Sequence, residues 1–411
     1  MITLFKKFFL VLAVLLLAVS ACSDDDGIEP GLGVSITISP DVAARTTDFA
    51  FDFFKTLQTT QPENDNLFVS PLGLHIALGM LLNGANNRTA SEIKSALKVD
   101  GIDDLDLNSA YKSLQEGLPQ VDPQVQLSLA NSVWSRNGFS VHSSFIAVLK
   151  KWFNADAITM EFNDAGVRRI NQWASDKTNG KIEKVIGEFS DSDVMFLMNA
   201  LYFKGDWKHK FDPANTIDRD FKLADGGQKR VKMMSLNSSL QLAQTSDFSA
   251  VELPYSNGKF NFTLLLPNGN KSVAEVGNSL SSEAWKSLTN GQYRSALVNL
   301  NLPKFQLDYE VQLKSTLKKM GIEAAFDSNS ADFSRLSDAL SLQVSEVKQN
   351  TYLGIDEKGT EAAAVTTIGM ELTSVQPGPT PIHIVADRPF LFVISENTSN
   401  TILFVGRITN P

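Results

Sequence analysis

Apolar residues in the first half of the chain recur at helical spacing. Phe49, Phe53 and Leu57, with Ala50 and Phe54, form one stripe, and Ser39-Pro40 before it reads as an N-cap followed by a first-turn proline. Pro71 to Leu82 predicts a largely buried helix. Thr89-Ala90-Ser91-Glu92 has the form of a capping box opening another. Ser143 to Phe153 and Val167 to Lys177 predict two more, the second closed by Asn179-Gly180. Strand patterns follow. Val194 to Phe203 is nearly all apolar, as in a central strand buried on both faces. Phe260, Phe262, Leu264 and Leu266 alternate, Leu342 to Ile355 is a long strand candidate, and Phe390–Ser395 and Thr401–Ile408 predict a hairpin around Glu396–Asn400. Helices first and sheets later indicate an α+β fold in one large domain from Asp41 to Pro411, with no internal linker or repeat.

One segment fits neither class. From Thr360, one period-two face carries Thr360, Ala362, Ala364, Thr366, Ile368, Met370 and Leu372. The other carries Glu361, Ala363, Val365, Thr367, Gly369, Glu371 and Thr373. Both carboxylates share a face, so the segment is written as a strand with one face for a core. Gly359 before it, and Pro377, Gly378, Pro379 and Pro381 after it, are loop flanks. An unpaired strand is an aggregation hazard unless it has a destination.

The N-terminus reads as a targeting segment over residues 1–21: Lys6 and Lys7, then an apolar run from Phe8 to Ala18. Val19-Ser20-Ala21-Cys22 resembles a bacterial lipoprotein signal in which Cys22 is lipidated; the alternative is an ordinary signal peptide with a chance cysteine. Residues 22–40, with Asp24-Asp25-Asp26, predict a disordered tether, either a surface-export signal or a soluble linker. A lone cysteine allows no internal disulfide. The whole chain carries a net charge of −9; without the two lysines of residues 1–21, 35 basic residues face 46 acidic ones, or −11. That balance argues against a nucleic-acid partner.

Catalytic chemistry finds no foothold. His75, His142, His209 and His383 show no metal-ligand spacing, and His75, within an apolar helix, reads as a packed core histidine. No G-x-S-x-G elbow occurs, and Gly31-Leu32-Gly33 lacks a third glycine at phosphate-loop spacing. The expectation is a protein that is not an enzyme, without metal or cofactor.

Several blocks together carry a resemblance: Asn66-Leu67-Phe68-Val69-Ser70-Pro71, Asn199-Ala200-Leu201-Tyr202-Phe203-Lys204-Gly205-Asp206-Trp207, Val251-Glu252-Leu253-Pro254-Tyr255, Leu302-Pro303-Lys304-Phe305 and Asp387-Arg388-Pro389-Phe390-Leu391-Phe392. With the strand-like loop, they resemble the serpins, serine-protease inhibitors, over roughly residues 42–411. The resemblance implies three β-sheets wrapped by eight or nine helices, with a reactive-centre loop at about residues 357–381. It implies a suicide substrate, in which a protease cuts the loop, the loop inserts into the main sheet, and the acyl-enzyme is trapped as a covalent 1:1 complex with a monomeric inhibitor.

On this resemblance the hinge comprises Glu357, Gly359, Thr360, Glu361, Ala362, Ala363, Ala364, Val365 and Thr366. Its inward residues are small enough to enter a core, and Gly359 frees the backbone. Ser70 and Asn199 match the shutter beneath the opening sheet, and Trp207 the breach where insertion begins. Counting about seventeen residues from Glu357, a strand of about 56 Å, places the cut at Thr373-Ser374, within one or two residues, with Leu372 beside it. The stretch Val375 to Pro381 is longer and richer in proline than the family pattern. Thr or Leu at the cut implies elastase-like, subtilisin-like or papain-like targets. The alternatives are a non-inhibitory binding protein on the same fold and a surface lipoprotein.

Overall fold

The phenylalanine stripe forms as its period predicts. Phe49, Phe53, Phe54 and Leu57 are all fully buried on helix α1 (Pro40–Gln58), whose Ser39 cap accepts from Val42 N. The computed structural model describes residue 36 and residues 38–339, 342–360 and 380–411. Contacts divide the chain into residues 1–33 and a unit from Val34 to Pro411, which holds every described residue. The body starts before Asp41: Ile36 is buried in the main core and lies against Gly117.

The other helices are α2 (Pro71–Gly84), α3 (Asn87–Ala96), α4 (Asp104–Gly117), α5 (Ser143–Phe153), α6 (Asp164–Lys177), α7 (Val273–Ser279), α8 (Ser282–Ser287) and α9 (Lys314–Lys319). Helix α2 is buried almost all round, and Ser70 caps it by accepting from Gly73 N at 3.0 Å. His75 is the core histidine that its surroundings predict. It receives the Tyr111 hydroxyl at Nδ1, and burial holds its pKa down at about 4 despite the Leu97 carbonyl 3.1 Å from Nε2. One local expectation fails: helix α3 is capped by Asn86, not Thr89. Thr89 sits inside the helix, where its hydroxyl accepts from Asp332 N, and Glu92 accepts from Glu323 N and Ala324 N. A tertiary partner takes the side chains that a local cap would use.

Two hydrogen-bonded sheets organise the strands. A nine-stranded sheet runs β1 (Leu67–Val69), β15 (Thr401–Ile408), β14 (Phe390–Glu396), β8 (Phe260–Pro267), β7 (Phe248–Pro254), β6 (Gln228–Gln244), β9 (Arg294–Pro303) and β13 (Ile382–Val385), with β5 (Ile217–Lys222) also on β6. The six-stranded sheet runs β10 (Phe305–Gln312), β11 (Lys348–Ile355), β12 (Gly359–Thr360), β4 (Met195–Asp206), β2 (Gln126–Arg136) and β3 (Asp156–Met160). Where three sheets were expected, the 17-residue β6 pairs with β5 and β9 along most of its length and with β7 at its end, joining two of them into one ladder. Helix α6 lies over the six-stranded sheet on a core of its own, Trp134, Met160, Ile170 and Ile186, apart from the main cluster.

Candidate functional site in the six-stranded sheet

Strands β4 and β11 run parallel, and among the described residues only the two-residue β12 sits between them. It is antiparallel to both neighbours: Thr360 pairs with Ile355 on one side and Gly205 on the other, and Gly359 with Asp206. Among the described residues, below this wedge the facing edges of β4 and β11 pair with no other strand. A strand edge of this length is a row of unmet donors and acceptors. Two expectations are corrected here. Residues Met195 to Asn199 are half-exposed, so β4 is not buried on both faces throughout. The strand expected from Leu342 begins only at Lys348, because residues 342–347 leave the sheet and line the gap. The resulting cleft, about 500 Å³, is floored by Leu74, Ala77 and Leu78 of α2 and reaches Asn199 and Gln349.

The turn that feeds β12 is held from all sides. Asp356 accepts from Lys358 N at 2.8 Å and Gly359 N at 3.3 Å, and its own N–H donates to Gly359 O. Trp207 N donates to Lys358 O at 2.7 Å and its indole Nε1 to Asp356 O at 2.9 Å. Trp207 stacks on Tyr255 at 4.6 Å between centroids, and the Tyr255 hydroxyl lies 2.5 Å from Thr360 Oγ1. Thr360 is 1% exposed. In this structure Gly359 leaves no space for a side chain. Gly359 is not among the positive-φ residues, but a Cβ there would stand 2.1 Å from Gly205 O and 2.7 Å from Asp206 Cα, both backbone.

Glu357 clasps the turn to the rest of the molecule. Its carboxylate accepts from Lys304 Nζ at 2.8 Å and Thr216 Oγ1 at 2.9 Å, and its carbonyl from Phe211 N. Burial pushes its pKa up, but the Lys304 hydrogen bond, its own backbone N–H, Thr216 and the Lys304 charge outweigh that and hold it below the usual carboxylate value. A carboxylate depressed in the folded state stabilises above its unfolded pKa, and that contribution is lost as pH falls through the folded value. Glu357→Gln will therefore lower stability by about 1 kcal/mol at neutral pH, and the difference will shrink in acid. Thermal melts across pH check this; a constant offset would mean that the charge does not matter.

Ser70 and Asn199, the residues expected at the shutter, both lie over Gly73. A Cβ there would lie 2.4 Å from Asn199 Oδ1 and 3.1 Å from Ser70 Oγ. Asn199 donates to Asn131 Oδ1, and Asn131 donates to Gln115 Oε1 and Phe153 O, so an amide chain runs from β4 into the helices behind it. Ser70 Oγ donates to Leu403 O, while its backbone forms a reciprocal pair with Gln349, N to Oε1 at 2.8 Å and O from Nε2 at 2.9 Å. Gln349 thus ties β11 to the N-terminus of α2. Nothing in the sequence marks this role, because a lone glutamine in a strand carries no motif. Tyr255 and Lys304 stood in blocks already singled out, without a role.

Glu361, Ala362, Ala363, Ala364, Val365, Thr366, Leu372, Thr373 and Ser374 lie outside the described residues, as does Cys22. Among the described residues no cluster of three or more His, Cys, Asp or Glu side chains is placed to hold a metal ion.

The family described as serpin (serine protease inhibitor) matches residues 44–411. Human Serpin B11 is 32% identical, covering 90% of this chain and 99% of its own. The leukocyte elastase inhibitor of Xenopus laevis is 33% identical with the same coverage. Among solved structures, the thermophilic serpin tengpin in its native state superposes with a TM-score of 0.83 at 30% identity, covering 92% of this chain and 96% of that one.

Proposed function

The chain belongs to the serpin family, and from that premise we propose that it inhibits a protease as a suicide substrate. The observation that carries the reading is a pair of parallel strands whose facing edges, among the described residues, pair only with a short antiparallel wedge at the top, Gly359–Thr360. A segment that continues the wedge pairs antiparallel on both sides, the stronger ladder geometry. Residues 361–373 follow directly and carry the uncharged, small-residue face that such a slot accepts.

In this mechanism the serine hydroxyl of the protease attacks the Thr373 carbonyl. An ester forms between them, and the amine of Ser374 leaves with the C-terminal fragment. Insertion of the freed strand then carries the acyl-enzyme away before water can attack the ester. The strand grows from the breach, where Trp207 and Tyr255 frame Thr360, and passes between Gln349 on β11 and Asn199 on β4. Burial of small side chains and new backbone hydrogen bonds drive it. A threonine or leucine at the cut suits elastase-like, subtilisin-like or papain-like enzymes. The protein is proposed to be exported and held at a bacterial outer membrane through lipid on Cys22, which mass spectrometry of the mature N-terminus would test.

Incubation with a panel of elastase-, subtilisin-, trypsin- and papain-like proteases should yield an SDS-stable 1:1 complex with at least one of the non-tryptic enzymes. The released peptide should begin at Ser374 or within two residues of it. If every enzyme cleaves the loop and turns over, the chain is a substrate or a binding protein on the same fold.

A further inference from the structure

We propose that Glu252, Thr263 and Tyr293 form a proton-operated latch in the nine-stranded sheet: while the carboxyl is neutral the two hydroxyls stand off, and when it ionises they close on it as donors. The three come from β7, β8 and the residue before β9. Glu252 and Thr263 are cross-strand partners, so their side chains share a face. On its other side Glu252 pairs with Gln241 of β6, and next along that face stands the buried pair Ala243 and Ala250. Their small side chains leave room for the Tyr293 ring to lie across β6 and β7. The Thr263 and Tyr293 hydroxyls are both buried without a hydrogen-bond partner. Buried polar groups are nearly always bonded, so two orphans beside a carboxyl require a reason. Burial, and then the Glu252 charge, push the Tyr293 pKa well above the usual phenol value, while the Thr263 hydroxyl opposes them. The three groups are neighbours that do not complete a bond.

No countercharge serves this carboxyl. Burial raises the Glu252 pKa to about 7, and the Asn261 amide, which also donates to Asn397 Oδ1 at 3.3 Å, pulls it back. The charged side chains of every strand and helix around it are engaged elsewhere. On β6, Lys229 donates to Asn410, Arg230 pairs with Asp220 and Lys232 with Asp218. On β9, Arg294 donates to Gln244 at 3.2 Å, and on β14 Glu396 accepts from Thr398 N and Ser399 N. Helix α7 packs on β8 and β14 through Val273 and Val276, and its Glu275 pairs with Lys271 at the surface. The turn over Leu288–Gln292, against β6, has no charged residue. Tyr293 is therefore the titratable group that meets Glu252, and an ionised carboxyl there needs donors. A carboxyl whose folded pKa lies above its unfolded one stabilises the fold in acid, and that contribution is lost as pH rises from about 4.5 through about 7. His75, a base held at about 4, works in the opposite sense over much of the same window.

The test melts the full chain, Glu252→Gln, Tyr293→Phe and the double variant between pH 5 and pH 8. Differences from wild type are read, so that His75 cancels. Between these limits Glu252→Gln should gain about 2–4 °C on wild type, because it cannot ionise. Tyr293→Phe should lose about 1–2 °C to wild type over the same interval, because the carboxylate has lost a donor. In the double variant the Tyr293→Phe change should have no pH-dependent effect. A difference between wild type and Glu252→Gln that stays constant from pH 5 to pH 8 overturns the proposal. So does a Tyr293→Phe loss of equal size at both limits, which makes the hydroxyl a fixed packing partner. Should Glu252→Gln not fold, the pH dependence of Tyr293→Phe decides alone.

Discussion

Cutting the loop with a catalytic amount of protease will raise the melting temperature of the chain by roughly 20 °C. About thirteen residues, from Glu361 to Thr373, would gain a central strand's hydrogen bonds at ~1 kcal/mol net each, on the order of 10–15 kcal/mol before side-chain packing is counted. For a domain of this size each kcal/mol moves the midpoint by about 1–2 °C. The sign is the informative part. A nicked chain ordinarily melts lower, because a cut loosens the native state; a higher melt requires a better-bonded state that the intact chain is kinetically barred from reaching. The physical source is the row of edge groups on β4 and β11 below the wedge that pair with no strand among the described residues. Scanning calorimetry of intact and cleaved protein decides it, and an unchanged melt would mean that the slot does not accept the loop.

Thr360→Arg will abolish trapping while leaving cleavage intact. Thr360 is 1% exposed and its hydroxyl lies 2.5 Å from that of Tyr255, itself fully buried against Trp207. A guanidinium at that point would replace a hydroxyl whose partner among the described residues is the Tyr255 hydroxyl, not a carboxylate, and burying an unpaired charge costs several kcal/mol. The wedge would be expelled, and insertion would lose its first step. The protease would still find its bond, more than ten residues further on, and would turn over. Titration against active protease should show the stoichiometry rising at least tenfold, with no SDS-stable band. Thr360→Ser keeps the hydroxyl and should trap normally. The cleaved Arg variant should also lack the rise in melting temperature, which links the two experiments. Normal trapping by Thr360→Arg would show that this side chain does not enter the core.

Most of the elements were legible because their periods are long and clean. Helix α5 forms over Ser143–Phe153 as predicted, and α6 ends at the predicted Asn179-Gly180, both in left-handed backbone. The failures share a cause: tertiary geometry overruled a sound local signal. Thr89-Ala90-Ser91-Glu92 has the composition of a cap, but Asp332 and the turn at Glu323 claim those side chains. Leu342 to Val347 is apolar enough for a strand, yet it lines a cleft, and burial beside a gap looks the same in sequence as burial in a sheet. At the site, Glu357, Gly359, Thr360 and Trp207 could be grouped because they stand in recognisable blocks. Gln349 could not, because its role depends on a strand 279 positions away in sequence lying beside Ser70. At Gly359 the structure adds a second demand to the backbone freedom expected of a hinge, namely room against Gly205 O.

The small core beneath α6 sets how far disturbance spreads. Trp134, Met160, Ile170 and Ile186, with partly buried neighbours such as Phe162, Trp173 and Phe196, hold that helix down in a cluster separate from the large one that joins the other elements. A helix anchored this way can detach and return as a local opening, at a fraction of the free energy of global unfolding. The front of the six-stranded sheet can then be uncovered and covered again while the main core never melts, so a large rearrangement of the sheet is compatible with a chain that remains folded throughout.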